Sequence, residues 1–279
     1  SCMLIFLLDY LDNTIRTPEE AEELLGLPVA AMIPLGRGHS MIRGKSDSGL
    51  RESFQMLAAS LWYQSVQGAG GGAVLVASAE PNAGRTITAG NLAASLASDG
   101  ARVILVDADL RQPAQHLVFG VDNTRGFTNI LAGTAKLEDV AVPTKVEGLL
   151  LIPSGPLPEN PMRLIRGEAM ERFFEDSTSV ADFVVFDSPA GAAFADATVL
   201  ASYIKRVLLV QSAGRVPRGA ESEFKIRLEQ VGAEFIGVVL NKVRPDDSHG
   251  LYHFRTAYAS LPPGGNTPAI SSNSPAIPG

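Results

Sequence analysis

Six short apolar runs with no polar interruption constrain this chain more than any other feature: Ala73–Ala77, Val103–Val106, Leu149–Ile152, Phe183–Phe186, Val207–Val210 and Phe235–Leu240. An alternating strand can leave one face in water, whereas a continuous run is buried on both faces and needs helices on either side. Helix-compatible stretches separate the runs, so the pattern predicts a doubly wound, mostly parallel α/β sheet. Ligands of such sheets bind beyond the carboxyl ends of the strands, and chemistry is expected in the residues that follow each run. A composition of 46% hydrophobic and 19% charged residues over 279 positions can fill that core. The net charge of −7 gives no basic field for nucleic acid, which is not expected as a partner. The single cysteine, Cys2, excludes an intramolecular disulfide and fits a reducing compartment.

The apolar run Cys2–Leu8 stops at Asp9, far short of the roughly 20 residues that cross a bilayer. It reads either as a buried helix start or as the last turns of a membrane helix that begins outside this chain. Thr17-Pro18-Glu19-Glu20 predicts a capped helix ending at Gly26, and Leu27–Pro34 a short strand between prolines. These signals divide the chain into a lead-in over 1–34, a Gly/Ser/Arg-rich linker over 35–49, the strand–helix domain over 50–245 and a flexible tail over 246–279, rich in proline, glycine and serine. His249 and His253 stand at i and i+4 in that tail, a poor place for a metal site, and none is assigned to histidine. Trp62 and Tyr63 read as packing residues rather than a stacking platform for bases.

The first core run leads into Ser78-Ala79-Glu80-Pro81-Asn82-Ala83-Gly84-Arg85-Thr86-Ile87 and an alanine-rich helix. A glycine-containing turn between strand and helix lets backbone N–H groups curl around phosphate at the positive helix end. Thr86 can reach Mg²⁺, and Glu80, Asn82, Ala83, Gly84, Arg85, Thr86 and Ile87 form the nucleotide-binding set. The competing reading is a strand–turn–helix corner that holds no nucleotide. Two residues depart from the phosphate-loop pattern: Ala79 stands for its first glycine and Arg85 for its lysine. The second matters more, because a broad planar guanidinium does not fill the gap that an ammonium fills between two phosphates.

After the second run come Asp107 and Asp109, a pair that can hold Mg²⁺ through water and orient or deprotonate a hydroxyl, with Arg111 close to developing phosphate charge. Asp187 follows the fourth run, where a further Mg²⁺ ligand is expected. Each aspartate alone reads more simply as a cap; three at two strand ends, beside the glycine turn at a third, do not. Asn241 after the last run either pairs with an adenine edge or makes a plain turn.

Together Glu80-Pro81, the run Ile104–Arg111 and Phe183–Pro189 resemble the bacterial tyrosine kinase family, whose connecting segments are also similar to Gly126–Gly133, Pro153–Pro161 and Asp196–Leu200. Asp9–Glu20 resembles the stretch that follows the second transmembrane helix in polysaccharide co-polymerases fused to such kinases. The resemblance implies a P-loop fold of the deviant, partitioning-ATPase-like type. It implies ATP and Mg²⁺ as cofactors, with Arg85 and Thr86 in the first nucleotide motif, Asp107 and Asp109 in the second and Asp187 in the third. Thr86, Asp107 and Asp187 are then the metal set, and Asp107, Asp109 and Arg111 the catalytic set. It further implies a place at the cytoplasmic face of the bacterial inner membrane, after a transmembrane helix that precedes the lead-in. The activity it implies is phosphate transfer to tyrosines in a neighbouring subunit's tail, here Tyr252 and Tyr258. The implied role is regulation of surface or exopolysaccharide polymerisation and export, with the assembly and export machinery and a tyrosine phosphatase as partners. In the helix beginning at Glu52 the family's two interface arginines are replaced by Gln55 and Ala58, which weakens self-association. Losing the loop lysine, the interface charges and most acceptor tyrosines points to impaired transfer. The alternatives are an autokinase with altered phosphate contacts, a scaffold without catalysis, and a partitioning-type ATPase, which usually carries a lysine where Glu80-Pro81 stand.

Overall fold

A computed structural model describes residues 15, 17–35, 48–66, 72–191, 194–214 and 218–244. The apolar run at the start, most of the linker, the tail with Tyr252 and Tyr258, and His249 and His253 lie outside the described residues.

Helix α1 (Pro18–Leu25) starts with the expected capping box, in which the Thr17 side chain accepts from the Glu20 amide and Glu20 reaches back to the Thr17 amide. It stops at Gly26, in the left-handed conformation with φ 62°. Thr17→Ala is expected to cost about 1 kcal/mol, the usual worth of a lost N-cap, measurable as a lower denaturation midpoint.

Strand β1 (Val29–Pro34) follows, then helix α2 (Ser48–Val66), strand β2 (Ala73–Ala77), helix α3 (Arg85–Ser98) and strand β3 (Val103–Asp107). Three short helices come next, α4 (Gln115–Phe119), α5 (Phe127–Leu131) and α6 (Leu137–Val140), before strands β4 (Val142–Pro143) and β5 (Leu149–Ile152). Helices α7 (Pro161–Ile165) and α8 (Glu168–Val180), strand β6 (Phe183–Asp187), helix α9 (Asp196–Ile204), strand β7 (Arg206–Ser212), helix α10 (Arg218–Glu229) and strand β8 (Glu234–Val243) complete the order.

The strands form one sheet in the order β1-β8-β7-β2-β6-β3-β5-β4. Every pairing is parallel except β4 with β5, an addition of two residues too short to leave an apolar pattern. All six runs are strands of this doubly wound sheet. The strand at 29–34 joins the same sheet through β8, with Val29 beside Val238 and Met32 beside Leu240.

Successive residues of each run face opposite layers. Val74, Val76, Phe183, Val185 and Leu208 meet α2 and α3 on one side. Leu75, Val184, Phe186 and Leu209 meet α8, α9 and α10 on the other, where Phe173 packs on Phe127 with ring centroids 4.9 Å apart. On α2 the buried residues Phe54, Leu57, Ala58 and Leu61 recur at helical spacing. Gln55 is exposed, whereas Ala58 lies in the core. Trp62 packs on the Phe183 ring at 5.0 Å while Tyr63 is exposed. Helix α3 lies close over the sheet because its buried face is built of Ala89, Ala93, Ala94 and Ala97. This layering brings the ends of β2, β3 and β6 side by side, with Asp107 in register with Asp187.

Candidate functional site

The turn between β2 and α3 curls under the first turn of α3, whose N-cap is Gly84 at φ 104° with no side-chain cap. An uncapped N-terminus of a 14-residue helix presents backbone donors and a partial positive charge to an anion. A cleft of about 530 Å³ opens there, of small-molecule size. Of the residues expected at the site, Asn82, Gly84, Arg85, Thr86, Ile87, Asp109 and Arg111 line it. Glu80, Ala83, Asp107, Asp187 and Asn241 do not; they stand behind or beside it.

Arg85 is turned inward. Its Nε donates to the Ser188 carbonyl at 2.9 Å, and Nη1 to the Glu80 carbonyl at 2.9 Å and to the Ser78 hydroxyl at 2.5 Å. The residue is 8% exposed, and Asp109 lies 4.0 Å from Nη2. Burial draws the guanidinium below its usual pKa, against the pull of Asp187, Asp109 and Glu221. The cation therefore ties the loop after β2 to the segment after β6, and most of its donors are spent on the protein.

Asp107 and Asp187 lie side by side at the floor, both fully buried. Oδ2 of Asp107 accepts from the amides of Ala114 and Gln115 at 3.1 and 2.9 Å, and Oδ2 of Asp187 accepts from Gln115 Nε2 at 2.9 Å. The Thr86 hydroxyl also bonds to Asp187. Burial pushes Asp107 well above the usual carboxylate range, with the neighbouring Asp187 adding to it. Burial also pushes Asp187 up to about 7, opposed by Arg85 and by the bonds from Thr86 and Gln115. The two Oδ1 atoms have no hydrogen-bond partner. Orphaned buried carboxylate oxygens beside a threonine hydroxyl are a hard-oxygen donor set, which fits Mg²⁺. Among the described residues no three acidic, imidazole or thiol groups form a cage. A cation that takes one or two carboxylates and draws its other ligands from phosphate and water suits that arrangement.

Arg111 lines the cleft but is held from behind. Its Nε and Nη2 engage Asp196 at the start of α9, and its guanidinium carbon lies 3.8 Å from the Phe194 ring centroid. Asn241 has its amide occupied within the fold: Nδ2 donates to the Ala83 carbonyl at 2.7 Å and Oδ1 accepts from the Lys242 amide at 2.8 Å. Here the structure differs from the plain-turn reading of Asn241, which lies within β8. The side chain staples β8 to the phosphate loop, and Lys242, which donates to the Asn82 carbonyl, takes the place in the cleft. Sequence reasoning also missed Gln115, Asp196 as the anchor of Arg111, and Glu221. Only Asp196 lay in a segment that the sequence had singled out.

The sequence profile of the CobQ/CobB/MinD/ParA nucleotide binding domain matches residues 74–257. The chain is 34% identical over 169 residues to a protein of Streptococcus agalactiae named tyrosine-protein kinase CpsD, covering 60% of this chain and 74% of the relative. Among solved structures it is similar to the kinase domain of Escherichia coli tyrosine kinase ETK, with a TM-score of 0.72 and 29% identity over 81% of this chain and 93% of that one. It is also similar to the septum site-determining protein MinD of Pyrococcus horikoshii complexed with Mg-ADP, with a TM-score of 0.54 and 25% identity over 61% and 69% of the two chains.

Proposed function

The chain belongs to the CobQ/CobB/MinD/ParA nucleotide-binding family, with relatives named bacterial tyrosine-protein kinases, and from that premise we propose that it binds Mg²⁺·ATP as a tyrosine-kinase-like module whose phosphoryl transfer is impaired. The observation that carries the second half is the inward Arg85 guanidinium, committed to Ser188, Glu80 and Ser78.

The α3 amides and Thr86 would hold the phosphates, and Thr86, Asp107 and Asp187 would hold the metal. A Mg²⁺ held by them would supply neutralisation of the phosphate charge. Asp109, which faces the cleft, would orient the acceptor hydroxyl and take its proton as the tyrosine oxygen bonds to the γ-phosphorus and the bond to the β,γ-bridging oxygen breaks. Arg111, fixed by Asp196, would meet the phosphate charge that builds in that step. An ammonium at position 85 could follow the moving phosphoryl group; a guanidinium with three protein acceptors cannot without breaking them. The acceptors would be Tyr252 and Tyr258 of a neighbouring copy. In the cell the module would act at the cytoplasmic face of the inner membrane on the polysaccharide assembly and export machinery, reset by a tyrosine phosphatase. Self-association would be weakened at the exposed Gln55, whereas Ala58, expected at the same interface, is buried in the core. Among the described residues no helix is long and apolar enough to cross a membrane, so attachment would rest on segments outside them.

The test is mass spectrometry of tail peptides after incubation with Mg²⁺·ATP. We expect little or no phosphate on Tyr252 and Tyr258 of the parent and clear phosphate on both in Arg85→Lys. Robust phosphotyrosine in the parent would overturn the reading and leave an active autokinase.

A further inference from the structure

Glu221 is fully buried on α10, and both its carboxylate oxygens lie 3.3 Å from the amide nitrogen of Ala79, where the phosphate loop begins. It lies outside the cleft, so it acts from the side of the loop away from any ligand. It is also one of the three negative charges that act on Arg85. The same face of α10 reaches the segment after β6. A Cβ at Gly191 would lie 1.9 Å from the Phe224 ring, and Arg227 donates to the Gly191 carbonyl at 3.1 Å. Residues 221, 224 and 227 thus fall at three-residue spacing along one helix face that grips both loops Arg85 joins.

We propose that Glu221 is a positioning residue of the nucleotide site, fixing the Ala79 amide and holding the Arg85 guanidinium in its inward direction. A buried carboxyl group with one amide donor is poorly satisfied as an anion, and ionising it needs a nearby positive charge. Arg85 is the positive charge within electrostatic reach, and its Nη1 donates to Ser78, next to Ala79, so the two residues are coupled through the start of the loop. The inference rests on the nucleotide reading given above. Burial pushes Glu221 up to about 8, with the Ala79 amide opposing, Glu80 adding and Arg85 opposing. Arg227 on the same helix is turned to the Gly191 carbonyl. Bringing phosphate to the cleft side of the loop adds negative charge and competes for Arg85, which disfavours an ionised Glu221. Phosphate binding and proton uptake at Glu221 are therefore linked, with the same sign.

The experiment is calorimetric titration of the purified chain and of Glu221→Gln with Mg²⁺·ADP at pH 7 and pH 9. Because Asp187, pushed up to about 7, also ionises over this range in both proteins, the expected signal is a difference: from pH 7 to pH 9 the affinity of the parent should change about threefold less favourably than that of Glu221→Gln, a modest coupling for charges on opposite sides of a loop. A purely structural residue would shift both affinities together and leave the slope. An equal pH response in the variant would therefore overturn the proposal while leaving the nucleotide reading intact. Absence of binding in both proteins at both pH values would overturn the nucleotide reading, and the proposal with it. The same titrations in the Arg85→Lys background supply an independent check through a double-mutant cycle. The effect of Glu221→Gln on affinity should differ between the two backgrounds, and equal effects would refute the pairing.

Discussion

Replacing Gly84 by alanine is expected to remove about 3 kcal/mol of stability and to lower the thermal midpoint by about 6–12 °C. Gly84 sits at φ 104°, where a side chain is strained, and a Cβ there would lie 1.9 Å from Asn241 Nδ2. The strained backbone accounts for about 1–3 kcal/mol. Displacing Asn241 also breaks its bond to the Ala83 carbonyl, worth about 1 kcal/mol. Because the clash is with one side chain, Asn241→Ala should relieve part of it, and the double variant should lose less than the sum of the two single losses. Thermal denaturation of the three variants checks both points. Full additivity would mean that Asn241 does not set the approach of the loop.

The second large effect concerns the floor of the cleft and has a pH signature. Asp187 has a folded pKa of about 7 against an ordinary value of 3.8, a raised case. Its contribution is fully favourable below the ordinary value and is lost as pH rises through about 7. Asp187→Asn removes that penalty. In Mg²⁺-free buffer at pH 8 the variant should be more stable by on the order of 3 kcal/mol, the advantage growing from about pH 4 and levelling above about pH 7. The same variant should lose the stabilisation that Mg²⁺·ADP gives the parent. Denaturation midpoints between pH 4 and pH 9 are the check, and a variant less stable than the parent at pH 8 without Mg²⁺ would contradict it. Stability given up at a floor of buried carboxylates with orphaned oxygens is what a site built to receive a cation shows.

The strands were legible because an unbroken apolar run has few places to go in a folded chain, and their helices followed from the spacing between them. The lead-in strand Val29–Pro34 was legible from its flanking prolines, but its pairing with β8, more than 200 residues away, left no local mark. At the site, Gly84, Thr86, Asp107, Asp109 and Asp187 could be found because their meaning is positional: each follows a strand or opens a helix. The direction of Arg85 could not, because it depends on the Ser188 carbonyl, 103 residues further along the chain. Asn241 reads in sequence as a free amide at a strand end. Only the close approach to Gly84 shows that one of its N–H groups is already bonded to the Ala83 carbonyl. Glu221 left no signal, since a lone glutamate on a charged helix reads as solvated until the packing of α10 buries it. Ala58 shows the reverse: its small side chain belongs to the core stripe of α2.

The central claim is that this nucleotide site has its loop cation turned into the fold. Calorimetric titration of the parent and of Arg85→Lys with Mg²⁺·ADP at pH 7 tests it most directly. The parent should bind, and the variant should bind at least about tenfold more tightly, the worth of one charge-assisted contact regained. Equal affinities in the two proteins would contradict the account, because the guanidinium would then already be serving the phosphates.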